Sequence, residues 1–270
     1  MMRYDTMKSL CITIMRNSLY IFILLMNWYN YEELYRVVLY DPVRIWGVVE
    51  LVYWSLGLMF WYFDEKKWSA TERFKITNEE LYRVGRGVGM REGDVVYLFP
   101  VVIRNHIVLG LWHVFYGVWC GGRGLGSEGV AVGGLSLVEF VGYFAVYLAM
   151  YDVVFYCGHY LMHLPRFYKN VHKMHHSTFG DVAISGYYMT VVDLVGEFIL
   201  PMYLPMYILN ANVNIAFTVA VIGQINGLVS HSGYDFPVLP YSADHLTHHL
   251  VQRKNYGVFF MDRLCGTEGG

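Results

Sequence analysis

"HYLMHLPRFYKNVHKMHH", residues 159–176, carries five histidines, and "HLTHH", residues 245–249, repeats the spacing of "HKMHH" at 172–176. Histidine is a mediocre helix former and is rare and costly in a membrane segment. A single histidine at a membrane border is ordinarily a solvated or hydrogen-bonded residue. Two copies of one three-histidine spacing beside an HxxxH pair call for a shared purpose. His159 and His163 stand at i and i+4, which is one face of a helix. His172, His175 and His176 stand at i, i+3 and i+4, as do His245, His248 and His249, so on helices each group aims its imidazoles together. Eight imidazoles exceed the four or so ligands of a closed zinc site, which points to two metal ions. Imidazole suits zinc, copper, iron and nickel alike. The Glu-x-x-His pairs of soluble di-iron bundles are absent, so the scaffold is a different, histidine-dominated one.

The rest of the chain is apolar. Of 270 residues, 56% are hydrophobic and 16% charged, against about a quarter charged in an average soluble domain. The composition predicts an integral membrane protein. A net charge of −2 gives no footing for nucleic acid. Cys11, Cys120, Cys157 and Cys265 form no CxxC pair and read as small apolar fillers. The "GRGVG" word at 85–89 lacks the GK[ST] ending of a phosphate loop and reads as a turn.

Residues 10–29 are expected to form a first anchor. Residues 43–63, 95–120 and 136–158 read as spans of about the ~20 residues a membrane helix needs. Residues 194–230 read as a hairpin of two short spans around "NAN" at 210–212. The expected fold class is an all-α, multi-span bundle of about four to five spans with a histidine-rich cap. Residues 64–94 hold seven Lys and Arg, while 121–135 hold one. The positive-inside rule therefore places 64–94 in the cytosol. The parity of spans then returns residues 159–193 and 231–270 to that same face.

The order HxxxH, HxxHH, HxxHH around a membrane hairpin resembles the fatty acid hydroxylase superfamily, which includes sterol desaturases, methylsterol oxidases and cholesterol 25-hydroxylases. "YDVVFYCGHYLMHLPRFYKNVHKMHH" at 151–176 is similar to the segment around the family's first two boxes. "HSGYDFP" at 231–237 is similar to the hydroxylase and methyl-oxidase branches. "HHLVQRKNYGVFFMDRLCGT" at 248–267 is most like the closing segment of the desaturases. The chain departs from the family pattern where Tyr160 follows His159, and where "TVVD" at 190–193 stands in for a His-Pro-x-Glu word. The resemblance covers about residues 135–267, which suggests a division into N-terminal spans with a polar loop, 1–134, and a catalytic domain, 135–267. It implies a non-haem centre of two iron ions that uses O2. Electrons would come from NAD(P)H through a reductase and a b-type cytochrome. It further implies oxidation of a sterol or related lipid, and an endoplasmic reticulum membrane location with the metal site facing the cytosol. Hydroxylation is the expected reaction, with sterol ring desaturation as the alternative. A metal transporter fits less well, because transport sites lie near the midplane and these histidines lie outside the spans.

The expected metal ligands are His159, His163, His172, His175, His176, His245, His248 and His249, with His231 as a ninth. Metal-bound imidazoles usually donate their other N–H to a carboxylate or carbonyl. Asp152, seven residues before His159, is expected in that role, with Asp193 and with Asp244, which directly precedes His245. Each is equally suited to a cap or a solvated charge. Asn226, His106 and His113 are expected mainly in structural roles within the spans.

Overall fold

A computed structural model describes residues 42–76, 94–122, 136–178, 182–211, 213–236 and 242–269. The expected anchor at 10–29 lies outside the described residues. The long helices are α1 (Pro42–Lys66), α2 (Phe99–Gly122), α3 (Leu137–Met162), α4 (Val191–Leu209) and α5 (Val213–Ser230). The short α6 (Ser242–Val251) and α7 (Met261–Cys265) follow. Single turns cover Ser69–Glu72, Pro165–Tyr168, His175–Ser177 and Ala183–Tyr187. No strand occurs among the described residues, and one isolated bridge joins Lys75 to Tyr234.

By length and composition, two of these helices, α3 and α4, can cross a membrane, and Thr218–Ser230 within α5 is a shorter apolar stretch. The segments expected to span at 43–63 and 95–120 do form α1 and α2. Both have the length, at 25 and 24 residues, but polar residues such as Glu50, Arg104, Asn105 and His106 dilute their apolar character. Only 11% of the apolar window of α3 is buried inside the protein, against 50% for α4. Leu137, Val138, Val141, Val146 and Val153 are exposed along α3. An apolar surface of that extent needs a non-aqueous neighbour.

Local rules explain the helix ends. Ser136 and Glu139 form a capping box at the start of α3, each side chain accepting from the other residue's backbone N–H. Asn210 ends α4 in the left-handed conformation, φ 45°, which asparagine tolerates better than most residues. The hydroxyl of Tyr143 donates to the carbonyl of Leu209 at 2.8 Å, satisfying an acceptor of the last turn. Within α4, residues Val195–Ile199 form a π turn in which Leu200 N–H donates to Val195 O. In a regular helix the ring of Pro201 would clash with the carbonyl four residues back, and the wider turn directly before it relieves that clash.

The core between the helices is rich in tyrosine: Tyr53, Tyr147, Tyr187 and Tyr203 are buried with Leu194, Leu228 and Met189. Their hydroxyls are used, as when Tyr53 donates to Ile184 O at 3.1 Å. Helices α3 and α4 meet through glycines. A Cβ on Gly158 would stand 2.9 Å from Gly196 O, so the approach needs glycine at 158.

One end of the bundle gathers the polar segments. After α1, Ile76 N–H donates to Gly233 O at 2.9 Å and Asp235 N–H to Phe74 O at 2.7 Å. Lys75 pairs with Asp64, which also accepts from the Tyr234 hydroxyl at 2.9 Å. The segment after α1 is thereby tied to the segment after α5. At this end α3 finishes and α4 begins.

The closing segment is tied down by two carboxylates. Asp152, fully buried, accepts from the backbone N–H groups of Val258, Phe259, Phe260 and Met261 at 2.7, 3.2, 2.8 and 3.0 Å. Asp262 accepts from Tyr256 N–H at 2.8 Å, Gly257 N–H at 2.6 Å and the Thr267 hydroxyl at 2.7 Å. Asp152→Ala leaves four donors without an acceptor. At about 1–3 kcal/mol per buried unsatisfied group, it should cost about 3 kcal/mol or more. Limited proteolysis of the detergent-solubilised variant should show early cleavage within 252–260, and an unchanged cleavage pattern would refute this role for Asp152.

Candidate metal centre

All nine expected histidines come together, and they separate into two groups. His159, His163, His172, His176 and His248 form one, and His175, His231, His245 and His249 form the other. The groups adjoin, with the rings of His176 and His249 4.4 Å apart. Both HxxHH boxes are therefore divided. The second box sends His172 and His176 to the first group and His175 to the second. The third sends His248 to the first group and His245 and His249 to the second.

The helices expected for the boxes need one correction. His159 lies in the last turn of α3 with His163 as its C-cap, and the third box lies on α6. The second box is not on an α-helix. Residues 172–174 are turns and His175–Ser177 is a 3-10 turn. Both boxes nevertheless divide alike, the middle histidine, His175 or His248, going to the other group from its two neighbours.

The protonation of these rings follows from their partners. His159 Nδ1 contacts Tyr256 O at 2.8 Å, His248 Nδ1 contacts Lys254 O at 2.6 Å and His249 Nδ1 contacts Thr178 O at 2.8 Å. His172 Nδ1 contacts both oxygens of Asp193, at 2.9 and 3.0 Å. Carbonyl oxygens only accept, so in His159, His248 and His249 Nδ1 carries the proton and donates it, and an ionised Asp193 fixes His172 in the same way. The lone pair of each neutral ring is then on Nε2, and the Nε2 atoms converge. His159 and His172 stand 3.2 Å apart at Nε2, and His172 and His176 3.0 Å. His163 lies 3.0 Å from His248 and 3.2 Å from His176. In the second group His245 lies 2.8 Å from His231 and 3.0 Å from His249. With Asp193 ionised, His159 and His172 face each other lone pair to lone pair.

Protonation does not relieve this. Burial, and then the neighbouring imidazoles, hold His172, His175, His176, His245 and His249 well below the usual histidine value of 6.5. Burial pushes His163 and His231 down to about 3 and His248 to about 4. In His175 both ring nitrogens are buried without a hydrogen-bond partner. Converging neutral lone pairs and an orphaned imidazole fit metal cations, and N···N edges near 3 Å suit nitrogens about 2.0–2.1 Å from a common ion.

The three aspartates fare differently. Asp193 is buried against His172 Nδ1 in the position expected of it. Asp152 touches no imidazole among its hydrogen bonds. It acts one step removed, by holding the segment whose Tyr256 carbonyl accepts from His159. Asp244 is exposed, and it is its backbone carbonyl that accepts a hydrogen bond, from the side-chain amide of Asn255 at 3.0 Å. Neither belongs to the imidazole groups, and neither does Asn226. His106 donates or accepts at Glu50 at 2.7 Å within the α1–α2 core, and His113 pairs with the Tyr203 hydroxyl at 2.6 Å, both away from the two groups.

Glu197 was not foreseen. It is buried on the π turn and groups with His172 and Asp193. Its sequence signal was an acid inside the apolar run "LVGEFIL", where an ionisable residue is costly unless it is used. The carbonyls of Tyr256, Lys254 and Thr178 carried no sequence signal, since any residue supplies one.

The fatty acid hydroxylase family model matches residues 144–267, a range that contains every histidine of both groups. That segment is similar to the fatty acid hydroxylase family. The chain is 30% identical over 125 residues to human fatty acid hydroxylase domain-containing protein 2, covering 46% of this chain and 38% of that protein. It is 29% identical over 172 residues to fatty acid hydroxylase ahd1 of Mycosarcoma maydis, 63% of this chain and 44% of that one. It is 28% identical over 145 residues to mouse cholesterol 25-hydroxylase, 49% of this chain and 48% of that one. The chain thus spans less than half the length of these relatives. No solved structure matches it.

Asp193→Asn should lower metal affinity about 10–100-fold, the usual cost of losing such a partner, as measured by metal titration of the purified protein; an unchanged affinity would count against its holding His172. Acid should act on the metal-free fold as well. The unfolded chain takes up protons at its histidines near pH 6.5, whereas His163, His231 and His248 in the folded chain do so only at about 3 to 4. Stability is therefore full above pH 6.5 and falls as pH drops from there toward 3. Unfolding of the metal-free protein at pH 7.5 and pH 5.5 should show the lower stability at pH 5.5.

Proposed function

We propose that this chain is an O2-dependent membrane oxidoreductase that hydroxylates or otherwise oxidises a sterol or related lipid at a centre of two iron ions. The carrying observation is the pair of adjoining imidazole groups, five and four strong, whose lone pairs converge at one end of an apolar helical bundle. The family match supports the reaction class, and the relatives' names support a lipid or sterol substrate. The domain at 135–267 is the catalytic part. Residues 1–134 supply further membrane helices and a polar loop.

His159, His163, His172, His176 and His248 would hold one ion, and His175, His231, His245 and His249 the other. When bound, the iron pair supplies the oxidising power toward an alkyl C–H bond that no side chain has. The chain's own contribution is placement. Asp193 and the carbonyls of Tyr256, Lys254 and Thr178 accept from Nδ1–H of His172, His159, His248 and His249 and leave those four Nε2 atoms directed inward. The buried rings keep bulk water from the centre. A groove lined by Val108, Leu111, Trp112, Phe115, Val195 and Ile199 lies between α2 and α4. Its wholly apolar lining suits a lipid chain, and Val195 and Ile199 share a turn of α4 with Glu197, which lies on the turn's other side. We assign the groove to the lipid substrate.

The positively biased loop supports a cytosolic cap. An endoplasmic reticulum location suits a sterol enzyme, with electrons delivered from NAD(P)H by a reductase and a b-type cytochrome. Metal transport is disfavoured by the position of the imidazoles at helix ends.

Purified protein should contain two iron ions per chain. Lipid profiling of cells with and without the chain should reveal an oxygenated or desaturated product, and its identity separates the two reactions. His175→Ala and His248→Ala should each lower turnover at least ~100-fold and lose metal, as expected of metal ligands, while His106→Ala should have a milder effect. Full turnover and full metal in either box variant would overturn the assignment.

A further inference from the structure

Glu197 is 3% exposed, and its Oε1 has no hydrogen-bond partner. That oxygen lies 3.5 Å from His159 Nε2 and 3.3 Å from His172 Nδ1. Neither contact satisfies it. The His172 Nδ1 proton is already shared by both oxygens of Asp193. The His159 proton is on Nδ1, donated to Tyr256 O, so its Nε2 presents a lone pair. A buried carboxyl oxygen thus stands beside a nitrogen lone pair with no hydrogen bond to satisfy it. A buried polar oxygen left unsatisfied is costly, and a cation bound by both atoms removes that cost.

We propose that Glu197 is itself a metal ligand, its Oε1 joining the five imidazoles of the first group as an anionic oxygen donor. This rests on the reading of the two groups as metal sites. The two sites are then chemically unequal. One has a negative charge and a hard oxygen ligand, and the other has four neutral imidazoles. The oxygen donor strengthens the first site for an ion that accepts carboxylate as well as imidazole, so the two sites fill in order, with the first group ahead. Asp193 and Glu197, four residues apart, divide the work: Asp193 takes the His172 proton, and Glu197 touches the ion. The π turn and the Gly158–Gly196 contact bring Glu197 to His159.

The test is a cobalt(II) titration of metal-free, full-length protein in detergent, comparing wild type with Glu197→Gln, which is nearly isosteric. Wild type is expected to bind two ions in two separable steps. In Glu197→Gln the tighter step should weaken ~10–100-fold and its visible cobalt bands should change, while the weaker step keeps its affinity. Unchanged steps and bands in the variant would overturn the proposal. So would a variant with altered turnover but wild-type cobalt bands, since Glu197 would then be a positioning residue. If wild type binds no cobalt, the metal-site reading fails and this proposal fails with it. Should Glu197→Gln not fold, infrared difference spectra of [13C]glutamate-labelled wild type decide the matter. Cobalt binding should shift a labelled carboxylate band, and no shift would overturn the proposal.

Discussion

Four imidazoles in this protein give their Nδ1 proton to an oxygen that has none to return. That constraint sets the rest of the site. Each ring is fixed as the tautomer with its lone pair on Nε2, and each is turned so that the lone pair points inward. Three of the acceptors are backbone carbonyls and one is a buried carboxylate. The arrangement of the imidazoles therefore depends on the path of the main chain at residues 178, 254 and 256 as much as on the histidines. Asp152, four hydrogen bonds deep in the closing segment, matters for the same reason. It keeps the stretch around Tyr256 where His159 can reach it.

The helical bundle brings these pieces to one place by using its ends. Helix α3 delivers His159 and His163 in its final turn, α4 delivers Asp193 and Glu197 in its first two turns, and α5 delivers His231 just past its last residue. A metal site built from helix ends can be polar while the helix bodies remain apolar. The π turn of α4 adds a second adjustment. It accommodates Pro201 and directs Glu197 toward the imidazoles, where Gly158 and Gly196 allow the two helices to touch.

The polar groups inside the bundle behave differently from those at its end. Glu50 accepts from the indoles of Trp46 and Trp54 and pairs with His106, while Tyr53 and Tyr187 flank the His106 ring. These are local contacts between neighbouring elements, and they pin α1 against α2. They explain why two helices of sufficient length fall short of the apolar composition of α3 and α4.

The nine clustered histidines and the helical character of the chain were legible in the sequence by itself. Spacing alone puts His159 and His163 on one face, and parity of the apolar runs brings residues 159–176 and 245–249 to one end. Asp193 was legible because metal-bound imidazoles recruit carboxylates. Only the tertiary structure decided how the boxes divide. Sequence spacing treats each HxxHH box as one unit, but in both boxes the middle histidine, His175 or His248, joins a different group from its two neighbours. It also decided between Asp152, Asp193 and Asp244, which are chemically alike: burial and direction separate them, and neither is written in residue type. The backbone acceptors were invisible for a simpler reason. Every residue has a carbonyl, and only the folded path of the chain says which ones face an imidazole.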